Sequence, residues 1–340
     1  MISKIAFIAL LILTSCNYSL EREKKSEIQI LSESIDRNPT DIDLLYSRVN
    51  YNKARNNLES ALFDLKEIVR LDSSNAINQF NIAEVYFALS KGNHPISSYP
   101  SLVRYHLEKS IKIDAKNKQA LNLMGELLLA YNRHEDAIES FNSSLKIDYS
   151  QERTHMLMGY AFKQLKQTDN AVNCFRNAIN IDPEFFEAYM QLGQIFHLLG
   201  DTSALIYYNN ALAINPHDEI ALYNKALFYQ SMLDWNNALE SYAELHKIKP
   251  FHSNGHYNLG FIHMELELYD IAINNFSDAI YSNSEFYEAY YSRGNCFETL
   301  GNIVQAESDY NRAVEINSEY TYAIEALAVL KEKNRKYNKR

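Results

Sequence analysis

One pattern of small, aromatic and polar positions recurs along the chain at a nearly constant interval. It reads NAVNCFRNAINIDP around Ala171, SALIYYNNALAINP around Ala204 and NALESYAELHKIKP around Ala238. Around Ala272 the stretch IAINNFSDAIYSNS repeats the pattern without its proline. Upstream of each copy lies a second pattern, in which a large residue precedes a leucine-like and a small one, as in YMQLG from Tyr189. Such self-similarity predicts one structural unit repeated along the chain.

Counting from these patterns divides the chain into eight units, six of which are 34 residues long. The units cover residues 42–320 and are 42–75, 76–117, 118–151, 152–185, 186–218, 219–252, 253–286 and 287–320. They resemble the tetratricopeptide repeat, a helix-turn-helix pair with a period of 34 residues. The resemblance implies an all-α fold, a right-handed α-solenoid of about eight such units. Capping helices are expected in 26–41 and in 321–340, which also carries a basic tail.

The glycines support this division of the chain. Five of the nine stand at the eighth place of a unit, where two helices would approach too closely for a larger side chain: Gly125, Gly159, Gly193, Gly260 and Gly294. Gly200 and Gly301 fall in the turn between the two helices, where a positive φ is easily adopted. Four of the six prolines follow a second helix, where a missing N–H ends the helix without loss: Pro39, Pro183, Pro216 and Pro250.

Two departures from the pattern lie near the amino terminus. The unit 76–117 has an insertion at 91–101, in its inter-helix turn. It is either a tolerated surface insertion or a loop that contacts a partner at one rim. The first unit has Arg48 and Val49 where Leu-Gly would stand, so its helix packing is less regular than that of the others.

Composition narrows the class of protein. Of 340 residues, 46% are hydrophobic and 22% charged, which excludes a disordered, collagen-like or disulfide-stapled miniprotein chain. Only 9 Gly and 6 Pro are available for turns, which favours helices. The net charge of −10 gives no broad attraction to a phosphate backbone, so nucleic acid is not expected as a partner. Cys174 and Cys296 fall in different repeats and are interpreted as buried, unpaired residues.

The amino terminus has the pattern of a secretory signal. Residues 1–15 contain Lys4, an apolar run and small residues, and the run is too short for a typical spanning helix. The sequence Leu-Thr-Ser-Cys ending at Cys16 resembles the bacterial lipobox, which implies cleavage before Cys16 and its acylation. Residues 16–25 would then be a lipidated tether. Asn17 favours the outer membrane by resemblance to a sorting rule, and the membrane leaflet stays open.

The sequence offers little that predicts catalysis. Short motifs such as GxSxG, HExxH, GxxxxGK[ST] and CxxC are missing. The nearest candidate is His252, His256 and His263, and we interpret the last two as structural residues in an inter-helix seam. We therefore expect no catalytic residue, no metal site and no cofactor, and predict that the protein is not an enzyme.

A binding groove is the feature that the resemblance points to. In tetratricopeptide arrays the first helices line a concave groove, and ligand contacts come from the second, fifth, sixth, ninth and twelfth places. Side-chain amides at the sixth place resemble a ladder that binds a peptide backbone: Asn81, Gln191, Asn224 and Asn258. Aromatic residues occupy the fifth and ninth places: Tyr46, Phe80, Tyr160, Tyr223, Tyr257, Phe261 and Tyr291. These aromatic residues either bind a partner or pack helix on helix.

Charge at these places refines the expected ligand. Acidic residues outnumber basic ones there: Asp43, Glu84, Glu126, Glu187, Glu288 and Glu298 against Lys53, Arg153 and Lys163. A neutral or basic segment is therefore expected. The fifth place carries no lysine, which disfavours a chaperone-type clamp for a carboxyl terminus.

Together these features predict a non-enzymatic adaptor, anchored to the bacterial cell envelope through Cys16, that binds a partner protein in its groove. The alternative is an envelope glycan or peptidoglycan ligand, which would require coplanar exposed rings with amides beside them. An intracellular scaffold whose amino terminus only imitates a signal is the other rival. Homo-oligomerisation cannot be read from the sequence.

Overall fold

The computed structural model describes residues 26–92 and 98–337, with side chains to residue 333. These residues form eighteen α-helices and no β-strand. The predicted signal peptide 1–15, the lipidation site Cys16, the tether 16–25 and the middle of the 91–101 insertion lie outside the described residues. Contacts divide the chain into two units, the first ending at Leu165 and the second starting at Lys166.

The first unit is a stack of consecutive helices. Its helices are α1 (Glu27–Arg37), α2 (Ile42–Ala54), α3 (Leu58–Leu71), α4 (Ala76–Ser90), α5 (Tyr99–Ile113), α6 (Lys118–Ala130), α7 (His134–Ile147) and α8 (Glu152–Gln164). Each of these helices packs on the next one along the chain, and α4 also contacts α6. Its consecutive helices pair as the hairpins α2–α3, α4–α5 and α6–α7.

The second unit has the same design. Its helices are α9 (Thr168–Ile181), α10 (Phe186–Leu198), α11 (Ser203–Ile214), α12 (Glu219–Ser231), α13 (Trp235–Ile248), α14 (Ser253–Glu265), α15 (Tyr269–Ser282), α16 (Tyr287–Thr299), α17 (Ile303–Ile316) and α18 (Thr321–Tyr337). Contacts again join each helix to its neighbours in sequence. The predicted fold class, an all-α solenoid of helical hairpins, is confirmed.

The hairpins cross at the glycine of the eighth place, as the sequence predicts. A Cβ added to Gly260 would lie 2.6 Å from the ring of Phe276, and one added to Gly193 would lie 2.5 Å from the ring of Tyr208. Phe276 and Tyr208 are themselves fully buried. At the crossing, the first helix of the hairpin therefore has a glycine without a side chain, and an aromatic ring of the second helix packs against it.

Seven hairpin turns each contain one residue in the left-handed region. These residues share the fifteenth place of their repeats: Asn56, Asn132, Lys166, Gly200, Leu233, Glu267 and Gly301. The turn ends the first helix with a hydrogen bond that spans five residues, as from Asn57 N–H to Asn52 O at 2.9 Å. The positive φ expected at Gly200 and Gly301 is confirmed, yet five residues with a Cβ adopt it too.

A polar residue stands directly before the proline position of the repeat, and it closes the turn between one hairpin and the next. Its side-chain oxygen accepts a hydrogen bond from the backbone two residues later. Asp182 accepts from the N–H of Glu184 at 2.9 Å, and Asn317 accepts from the N–H of Glu319 at 3.1 Å. Because the side chain supplies this bond, the turn forms whether or not a proline follows.

Candidate functional site

The predicted groove residues of the first unit are half-buried. The Tyr46 hydroxyl on α2 donates a hydrogen bond to Asn78 Oδ1 at 2.6 Å. Asn81 Nδ2 on α4 in turn donates to the Tyr46 oxygen at 3.1 Å. Phe80 lies beside Asn81 on α4, and Tyr160 lies on α8. The fifth place of one repeat is thus bonded to the sixth place of the next.

The second unit repeats this bond. Asn258 Nδ2 on α14 donates to the Tyr223 hydroxyl oxygen on α12 at 3.2 Å, and the two residues are again 35 apart in sequence. The same amide nitrogen donates to the Tyr242 hydroxyl oxygen at 2.9 Å. Asn258 is only 8% exposed. Two of the four predicted ladder amides, Asn81 and Asn258, therefore use their NH₂ groups to join successive repeats.

The other predicted residues of the second unit stay half-buried on the first helices of their hairpins. Gln191 lies on α10, Asn224 on α12, Tyr257 and Phe261 on α14, and Tyr291 on α16. Phe261 lines an open cavity of about 360 Å³, together with Leu227, Trp235, His197 and Gln230. Cavities of this size are in the range that binds small groups of a ligand.

Aromatic rings that the sequence analysis did not select lie around Tyr291. Its ring centroid is 5.5 Å from that of Tyr320 and 6.1 Å from that of Tyr322. Tyr320 also contacts Tyr287 at 4.8 Å. Continuing the count of repeats into the capping helix α18 would have found Tyr322, because it occupies the second place of an incomplete ninth unit.

Ion pairs reduce the acidity predicted for the groove. Lys53 Nζ lies 2.5 Å from Glu84 Oε2, and Arg153 lies 3.6 Å from Glu126. Each pair joins one repeat to the next. In the second unit Glu298 pairs with Lys333 at 2.9 Å, whereas Glu288 lies beside the ring of Tyr287, whose pKa it raises.

The three histidines considered for catalysis make separate structural contacts. His252 precedes α14, and its Nδ1 accepts from the N–H of Gly255 at 2.8 Å. His256 Nε2 donates to Pro250 O at 2.8 Å, and His263 Nδ1 accepts from the Asn275 amide at 3.2 Å. Each ring is held by a different neighbour, so the geometry does not bring the three together.

Neither buried cysteine is prepared for nucleophilic chemistry. Cys174 and Cys296 are free thiols. Burial raises the pKa of Cys174 to about 12 and that of Cys296 to about 11. Within the described residues, no group of three or more His, Cys, Asp or Glu side chains could hold a metal ion. None of the helices described is both long and apolar enough to span a bilayer.

A stack of helical hairpins with crossing glycines and a surface of aromatic and amide residues defines a helical-repeat binding protein. Two stretches match family models: residues 159–200 match the TPR repeat model and residues 287–320 the tetratricopeptide repeat model. The chain therefore contains tetratricopeptide repeats in these two stretches. No curated protein matches the sequence at a significant level.

Solved structures share the fold. One is pilF of Pseudomonas aeruginosa, with 17% identity and a TM-score of 0.52 over 63% of this chain and 94% of that one. Another is a tetratricopeptide repeat protein from Parabacteroides merdae, with 13% identity and a TM-score of 0.51 over 76% of this chain and 99% of that one. At these identities the likeness concerns the fold alone.

Proposed function

We propose that this protein is a non-enzymatic adaptor of the bacterial cell envelope that binds an extended segment of a partner protein. The tetratricopeptide repeat fold is in general that of a protein interaction scaffold without catalytic activity. The observation that carries the proposal is the half-buried state of Asn224, Phe261 and Tyr291 on the first helices of three successive hairpins. In the hairpin that carries Phe261, the crossing of the two helices is filled by the ring of Phe276 against Gly260, so Phe261 is not needed there.

Rigidity supports binding at this surface. The hydrogen bonds from Asn258 hold the side chains of Tyr223 and Tyr242 in place. A partner that binds at Asn224 therefore need not order these two side chains. A preorganised surface loses less conformational entropy on binding than a flexible one. Asn224 carries both a donor and an acceptor, which is what a peptide backbone requires.

Ring geometry favours a peptide over a glycan. Tyr223 is inclined by 59° to Tyr242, Tyr257 by 34° to Phe286, and Tyr291 by 87° to Tyr320. A sugar ring stacks best on coplanar aromatic faces, and these groove pairs are tilted. We therefore keep a protein partner as the proposal, with a glycan as an outcome of the test.

The test is co-purification from detergent-solubilised membranes, comparing the wild type with Asn224→Arg. The arginine places a bulky charged group on the proposed surface, and at least a tenfold loss of the bound protein is expected. Asn258 is a poor choice, because its loss would also remove the hydrogen bonds that it donates to Tyr223 and to the buried Tyr242. Asn210→Arg on α11 is the matched control, since Asn210 is exposed on a second helix.

Equal recovery of every protein by the wild type and Asn224→Arg would contradict the proposed groove. Retention of the wild type on isolated cell-wall material, with no protein partner in any sample, would support the glycan instead. Circular dichroism of both variants establishes that they are folded.

The anchor is a separate part of the proposal. We infer from residues 1–16 that Cys16 carries acyl chains and holds the protein in a membrane, the outer membrane by preference. Cys16→Ser should move the protein from the membrane fraction to the soluble fraction and remove the acyl mass from the mature chain. An unchanged distribution of the variant, or a wild type with no acyl mass, would contradict it.

A further inference from the structure

Four tyrosines form a continuous aromatic surface at the carboxyl-terminal end of the second unit. Tyr287 and Tyr291 lie on α16, and Tyr320 and Tyr322 lie where the chain enters α18; together they are called the tyrosine cluster. Neighbouring ring centroids are between 4.8 and 6.1 Å apart. Tyr322 is 63% exposed, so the face of the cluster is open to a ligand.

Three carboxylates lie on the helices that carry these rings: Glu325 is one helical turn after Tyr322 on α18, and Glu288 and Glu298 are on α16 with Tyr287 and Tyr291. Burial raises the pKa of Tyr291, and Tyr322, Glu298 and Glu325 raise it further. Burial likewise raises the pKa of Tyr320, with Glu288 among the groups that add to the effect. These influences fall off with distance, so the carboxylates lie close to the cluster.

One of the three carboxylates is already paired with a cation, whereas Glu288 shares only a hydrogen bond with Tyr287. Glu298 accepts a hydrogen bond from the Tyr310 hydroxyl at 3.0 Å and pairs with Lys333 at 2.9 Å. Lys333 thus neutralises one of three negative charges. Glu288 and Glu325 leave the surroundings of the cluster negative, which repels anions and attracts a cation.

We propose that the tyrosine cluster, with Glu325 and Glu288, binds an arginine side chain of the partner segment. The inference rests on the proposed function, because it names one residue that the partner presents to the end of the groove. A guanidinium group is flat, stacks on a tyrosine face and donates hydrogen bonds to a carboxylate at the same time. This combination suits arginine better than lysine, whose ammonium is compact and strongly hydrated.

The chain itself shows that its tyrosines accept guanidinium groups. Arg55 Cζ lies 3.6 Å from the ring centroid of Tyr51, and Arg293 Cζ lies 5.6 Å from that of Tyr290. Arg293 is held by Asp309 and Arg312 by Glu285 and Glu315, so these nearby arginines are committed elsewhere. Neither of these two described arginines therefore competes with an arginine from another molecule for the proposed site.

The test uses two capped tripeptides, Gly-Arg-Gly and Gly-citrulline-Gly, which differ only in the charge of one side chain. Saturation-transfer NMR with the full mature chain in detergent micelles measures their affinities. The arginine peptide should bind about tenfold more tightly than the citrulline peptide. Tyr322→Ala and Glu325→Gln should each reduce that preference at least threefold.

Tyr281→Ala is the matched control, because Tyr281 is 79% exposed but lies outside the cluster. It should keep the full preference for arginine. Equal affinities of the two peptides, no binding of the arginine peptide, or an unchanged preference in Tyr322→Ala would overturn the proposal.

The two proposals can fail separately. If Asn224→Arg loses its protein partner while the arginine peptide does not bind, the groove function stands and the arginine site is wrong. If the arginine peptide binds through Tyr322 while Asn224→Arg loses no protein, the arginine site stands and the groove adaptor is wrong.

Discussion

Two seams between packed helices of the second unit bury polar groups in contrasting ways. In the fork seam, Arg293 on α16 donates two hydrogen bonds to Asp309 at 2.8 Å and one to Ser277 at 2.9 Å. In the histidine seam, His246 on α13 stacks on His256 of α14, with ring centroids 3.9 Å apart and planes 15° apart. Among the described residues, His246 Nε2 and His256 Nδ1 are buried without a hydrogen-bond partner.

The two seams differ in the kind of polar group that they bury, and this decides how each one responds to its surroundings. The fork seam holds a carboxylate–guanidinium pair joined by two hydrogen bonds. In the histidine seam, burial and then the proximity of His256 lower the pKa of His246 to about 4. Burial also lowers the pKa of His252, against the opposing effect of Glu219 and with a small contribution from Lys249.

Breaking the fork should have the largest effect. Asp309→Ala leaves the largely buried Arg293 guanidinium without its carboxylate, so we expect a loss of about 3 to 5 kcal/mol in the free energy of unfolding. Urea denaturation of the mature protein, followed by far-ultraviolet circular dichroism, measures it.

The double variant Arg293→Leu/Asp309→Ala is the control. Removing both charges should recover at least half of the stability, since no buried charge is then left unpaired. A single variant as stable as the wild type would show that water, rather than Asp309, satisfies Arg293.

Acid should weaken the histidine seam. The folded pKa of His246 lies below the usual 6.5, so its contribution is complete above pH 6.5 and is lost as the pH falls from 6.5 toward about 4. We expect a loss on the order of 1 kcal/mol, since the rings are partly solvated. Melting temperatures between pH 7.5 and 4 measure it.

Replacing the ionisable ring should have the smallest effect and sharpen the comparison. His246→Leu removes the unpaired Nε2 at similar volume, so the stability at pH 7.5 should change by less than about 1 kcal/mol. Above pH 6.5 the variant and the wild type should have nearly the same stability. Below pH 6.5 the variant should be the more stable of the two. Parallel pH curves for the two proteins would assign the acid effect to other groups.

Much of the fold follows from local spacing. A glycine at the eighth place, opposite a ring, is a requirement that one hairpin imposes on its own sequence, and Gly193 and Gly260 show it directly. The polar residues of the turns, such as Asp182, are equally local. The register predicted from these residues therefore agrees with the helices observed.

The candidate site was harder to predict, because its contacts join different repeats. The fifth and sixth places identified Tyr223 and Asn258, but the bond between them depends on how two hairpins pack. The pairing of Lys53 with Glu84 has the same origin and could not be seen in a count of charges. Tyr322 was missed because the count stopped at residue 320, where the last complete repeat ends.

The left-handed turn at the fifteenth place tolerates different residues from one repeat to another. Its hydrogen bond uses backbone atoms alone, so the turn survives when Leu233 or Glu267 stands there instead of glycine. The residue at this place can therefore differ from repeat to repeat while the turn keeps its geometry. The two stretches matched by family models, 159–200 and 287–320, are those that contain the turn glycines Gly200 and Gly301. The backbone path of the turn is thus common to repeats that carry different residues at this place.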